Sequence, residues 1–73
     1  MNYIDRQAKR ANRIITEYQQ KASPIIGEIA KMLDRGDSPE DIQTYYDVWG
    51  WDYPDDIWLI ARYMIVLDEA AQN

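Results

Sequence analysis

The 73-residue chain contains no cysteine and no histidine. Without cysteine there is no disulfide, no thiolate nucleophile and no Cys/His zinc site. Without histidine there is no imidazole to exchange protons near neutral pH. Most small-enzyme mechanisms are thereby excluded, and no catalytic residue, cofactor or metal is expected. Long apolar runs are scarce too. The longest, Ile57 to Leu67, is interrupted by Arg62 and is too short to cross a bilayer. The first twenty residues interleave Asp5, Arg6, Lys9, Arg10 and Arg13 with apolar positions, so they do not read as a signal peptide. The expectation is a cytoplasmic protein that does not contact a membrane. Basic residues become scarce in the second half: after residue 36 Arg62 stands alone against nine Asp and Glu, whereas residues 1–36 hold seven Lys and Arg against four acids. The net charge of −5 is therefore a +3 half joined to a −8 half.

What is present reads as helix throughout. A chain of this size holds one domain with a modest core, burying roughly 60% of its unfolded surface. Apolar Ile4, Ala8, Ala11, Ile15 and Tyr18 recur at alternating spacings of four and three, predicting a first helix over 3–20 with Arg6, Lys9, Arg10 and Arg13 on its opposite side. Ser23-Pro24 starts a second helix over 24–35, since Pro has no N–H to lose at a first helical position, and Gly36 ends it. Its inward face is Ile25, Ile29, Ala30 and Leu33. Ser38-Pro39-Glu40-Asp41 repeats the start logic for a third helix over 39–49, whose inward residues at helical spacing are Ile42, Tyr45, Tyr46 and Trp49. Gly50 stops it. Pro54-Asp55-Asp56 opens the last helix, over 54–70, and the hexapeptides Asp37 to Ile42 and Asp52 to Ile57 echo one another as two similar helix starts.

The last helix is apolar around most of its circumference, leaving Asp55, Arg62 and Glu69 as a narrow polar stripe. Such a helix has to be surrounded, so it is expected at the centre of an all-α bundle of about four helices. Surface that three neighbours leave uncovered would meet a partner or a second copy.

Paired carboxylates at Glu40-Asp41, Asp55-Asp56 and Asp68-Glu69 do not suggest a metal or acid–base site, because adjacent helical residues point roughly 100° apart. The segment EIAKMLDRGDSPEDIQTYY, through Ile29, Ala30, Leu33, Gly36, Ser38 and Ile42, resembles the first two helices of a helix-turn-helix unit. That resemblance implies a DNA-reading helix next in the chain, yet the first turn there carries Asp52, Asp55 and Asp56, which phosphates would repel. Direct nucleic-acid binding would instead use the cationic side of the first helix.

Seven of the nine aromatic residues lie between Tyr45 and Tyr63, among Asp47, Asp52, Asp55 and Asp56. Tyr45, Tyr46, Trp49 and Trp58 are expected in the core. Trp51 and Tyr53, beside Gly50 and Pro54, are expected to be exposed. Carboxylates displayed on a rigid helical surface can imitate a row of phosphates, and small phage-encoded inhibitors of bacterial defence, anti-CRISPR proteins among them, are often acidic proteins of this character. The sequence thus points to a non-enzymatic inhibitor or adaptor that meets a basic, nucleic-acid-binding surface on a partner protein. Its contact residues would be Asp37, Glu40, Asp41, Asp47, Trp51, Asp52, Tyr53, Asp55 and Asp56. The rival expectation is a homodimer or larger homo-oligomer packed through the last helix or the Ile4 to Tyr18 stripe.

Overall fold

A computed structural model describes residues 3–21 and 23–72. It holds four helices: α1 (Tyr3–Gln20), α2 (Ile25–Arg35), α3 (Pro39–Val48) and α4 (Pro54–Gln72). They form a body of 33 × 24 × 22 Å in which α4 packs against all three others, and most extensively against α3. The all-α bundle with a central last helix is as the periodicity implies.

The helix ends follow from their side chains. Ser38 Oγ accepts a hydrogen bond from the Asp41 N–H at 3.1 Å, while the Ser38 N–H donates back to Asp41 Oδ2 at 3.4 Å. This reciprocal capping box satisfies two donors that the first turn of α3 would leave orphaned. α2 starts one residue later than expected, at Ile25. Pro24 stands outside it as a helical-conformation cap, and Ser23 Oγ accepts from the Ile25 N–H. Two glycines close α2 and α3 in the same way. Gly36 and Gly50 adopt φ of +103° and +83°, a region where a side chain is strained. Each allows the next residue to fold back, so that Asp37 N–H reaches Met32 O at 3.0 Å and Trp51 N–H reaches Tyr46 O at 2.9 Å.

The core takes Ala11 and Ile14 from α1, Ile25 and Ile29 from α2, Ile42 and Tyr46 from α3, and Ile57, Leu59, Ile60 and Ala61 from α4. Among the described residues no polar or charged side chain is buried with them. The buried line of α1 runs through Ala11 and Ile14. Ala8, Ile15 and Tyr18 of the expected stripe lie only half-buried at its edges, and the Ile4 side chain lies outside the described residues. In α2, Ala30 and Leu33 are likewise half-buried.

Two expectations for the aromatics are reversed. Trp49, placed in the core by spacing, is 76% exposed, and Tyr45 is 46% exposed. Trp51, expected outside, is packed between Tyr18 and Tyr46, with ring centroids at 5.9 and 5.7 Å. The cause is the turn at Gly50. The residue that follows a left-handed glycine cap is folded back onto the helix four to five residues upstream, which carries the Trp51 ring onto Tyr46. Trp49 occupies the cap itself, past the last full turn, and is turned outward.

Candidate functional site

The seven carboxylates expected at the contact sort into two groups. Five of them are engaged within the chain. Asp37 pairs with Arg35, whose Nε donates to it at 3.1 Å, and Asp41 completes the capping box. Asp56 accepts from Arg10 at 3.2 Å, tying the start of α4 to α1.

The remaining two engaged acids form a crossed pair. Glu40 Oε1 accepts from the Trp58 indole N–H at 3.1 Å, and Asp55 Oδ1 accepts from the Gln43 amide at 3.0 Å. Glu40 and Asp55 occupy equivalent positions in the two echoed hexapeptides, and Gln43 and Trp58 each follow the closing isoleucine. The echo is therefore a spatial relation as well as a sequence one: the two helix starts meet, and each supplies an acid to the other. The Trp58 bond is also the main reason the Glu40 carboxyl sits below the usual glutamate range, with a smaller contribution from Arg62.

Asp47 and Asp52 form the second group. Both are exposed, and neither carboxylate makes a hydrogen bond or ion pair among the described residues. They bracket a segment that displays large apolar side chains: Val48 is 78% exposed, Trp49 76% and Tyr53 66%. Tyr45 joins them, its ring 6.2 Å from that of Trp49 and edge-on to Tyr46 at 5.2 Å. The inner member of this aromatic row is fixed, since the Tyr46 hydroxyl donates to Glu28 Oε2 at 2.8 Å.

No family model, curated protein or solved structure matches this chain. The site therefore stands on its own geometry.

Of the nine contact residues expected from sequence, Asp47, Asp52 and Tyr53 are exposed together at the end of α3 and the connection into α4. Asp37, Glu40, Asp41, Asp55 and Asp56 have internal partners, Glu40, Asp41 and Asp55 among them remaining exposed, and Trp51 is half-buried between Tyr18 and Tyr46. Tyr45, Val48 and Trp49 complete the exposed segment and were not singled out. Their signal was present in the sequence: at roughly 100° per residue Tyr45, Tyr46, Val48 and Trp49 fan over about 160°, wider than the roughly 100° stripe that a packed helix face usually buries.

Within α3, Glu40 and Gln43 lie on the flank that bonds α4, while Tyr45 lies on the other. The cationic residues Arg6, Lys9, Arg10 and Arg13 line an open groove on α1, with Arg10 engaged by Asp56. The helix-turn-helix resemblance extends to the three-residue turn between α2 and α3, but the helix it would assign to DNA reading is α4. That helix is at the centre of the bundle, and its first turn is tied to α3 and α1. Among the described residues no group of three acids is placed to hold a metal ion, and no helix is long and apolar enough to cross a membrane.

Proposed function

We propose that the protein is a non-enzymatic binding module, an inhibitor or adaptor, that docks on a partner protein through the Tyr45 to Tyr53 corner. The observation that carries this reading is the exposure of Val48, Trp49 and Tyr53 in a small protein whose other large apolar groups are mostly packed. Exposed Trp and Tyr on a rigid scaffold are the usual anchors of protein interfaces, because they bury much area for little lost entropy. The partnerless carboxylates of Asp47 and Asp52 favour a basic rim on the partner. Glu40 and Asp55 extend the negative field along α3 and α4.

A basic surface of this kind is one that binds nucleic acid. In its finer form the proposal is a nucleic-acid mimic, of the sort used in phage counter-defence. The test compares the wild type with Trp49→Ala/Tyr53→Ala and Asp47→Lys/Asp52→Lys in capture from the native host lysate, with duplex DNA as competitor. A partner that is lost with both variants, released by salt and displaced by DNA is the expected result. A partner retained undiminished by both variants sinks the assignment of this corner.

A further inference from the structure

The second half of α4 is less enclosed than its first half, although α1, at 18 residues, is nearly as long as α4 and lines it as far as Val66. α4 has 19 residues against 11 in α2 and 10 in α3, and its buried residues end at Ala61. Beyond that point Tyr63 is half-buried, while Val66 is 41% and Leu67 49% exposed. Tyr63, Val66, Leu67 and Ala70 stand at i, i+3, i+4 and i+7, the spacing of one continuous apolar stripe. Beside it, between α1 and α4, opens a cleft of about 220 Å³ lined chiefly by Ala8, Leu59, Tyr63 and Val66.

Arg62 and Glu69 run along one edge of this stripe. Both are exposed, and neither side chain makes a hydrogen bond or ion pair among the described residues. Seven residues separate them, about 10 Å along the axis, so they lie on one line with Val66 between.

We propose that this stripe pairs with the same stripe of a second copy of the chain, α4 against α4, antiparallel about a two-fold axis. The charge arrangement selects that partner. A two-fold axis midway between Arg62 and Glu69 reverses the helix direction, and so sets each Arg62 against the other copy's Glu69, twice over. Val66 and Leu67 then lie at the centre, where the adjoining cleft receives an apolar side chain. A parallel two-fold arrangement puts the Arg62–Glu69 edges of the two copies on opposite sides of the seam, so neither charge meets its complement. The proposal does not depend on the Tyr45 to Tyr53 corner, which lies in other segments of the chain.

The experiment is sedimentation equilibrium of the intact chain from micromolar to near-millimolar concentration. The wild type is expected to dimerise. Arg62→Glu and Glu69→Arg should each weaken the dimer roughly tenfold or more by opposing like charges. The double variant R62E/E69R should restore it, because the exchanged pair is again complementary. Circular dichroism checks that all three variants fold, as both side chains are exposed. A wild type that stays monomeric throughout, single variants that dimerise as well as the wild type, or a double variant that is not restored would each overturn the proposal.

Discussion

Gly50 separates two tryptophans with opposite surroundings, and its backbone conformation decides which is which. Any side chain at φ of +83° is strained, so Gly50→Ala should cost about 1–2 kcal/mol although open space surrounds the position. The packed row of Tyr18, Trp51 and Tyr46 should loosen with it, read as a loss of near-ultraviolet circular dichroism. Core and corner are likewise separable by single substitutions. Ile57→Ala or Ile60→Ala, both wholly buried, should lose about 2–5 kcal/mol in urea unfolding. Trp49→Ala should change stability by only about 0.5 kcal/mol while abolishing partner binding. The isoleucines were legible in the sequence because helical spacing and burial coincide in them. Trp49 and Trp51 were not, because spacing applies only within a helix, and the turn that redirects both depends on a backbone state visible only as a glycine.

Helix starts are the most legible elements of this chain, since each is written as a short local code. Ser38→Ala removes the reciprocal cap of α3 and should cost about 1 kcal/mol, seen as a lower midpoint of thermal unfolding. The crossed bonds between the two starts were hidden, because residues 12 and 18 apart are involved and neither pairing is implied by the echo itself. They have a pH signature. The folded-state pKa of Glu40 is depressed, so its contribution is present above the ordinary glutamate range and is lost as pH falls through the lower folded value. Trp58→Phe should return the Glu40 titration toward its ordinary position in an NMR pH series. Tyr46 acts at the other extreme. Burial, reinforced by the bond to the Glu28 carboxylate, raises its hydroxyl well above the usual tyrosine range. Its folded pKa exceeds the unfolded one, so its contribution holds below the ordinary tyrosine pKa and declines as pH rises above it. Tyr46→Phe should flatten the alkaline limb of the stability–pH curve.

For the whole molecule, the all-α class and the central last helix were readable because a helix apolar on nearly every side has only one comfortable place. How far it is enclosed was not readable, since that depends on the lengths and tilts of three other helices. Surface charge was readable as a sum, but not which of the seven acids expected at the contact also bond within the chain, as five of them do. The bracing of α3 against α4 also bears on how the chain acquires its shape. These two helices share the most extensive packing in the bundle while lying next to each other in the sequence, so their contacts close short loops at small entropic cost. They should assemble early, with substitutions at Ile42 and Ile57 slowing folding more than substitutions at Ala11 or Ile25, as stopped-flow kinetics would show. The exposed corner is the link between these two early partners. A partner would therefore meet Trp49 and Tyr53 already held in place, and would lose little entropy in ordering them.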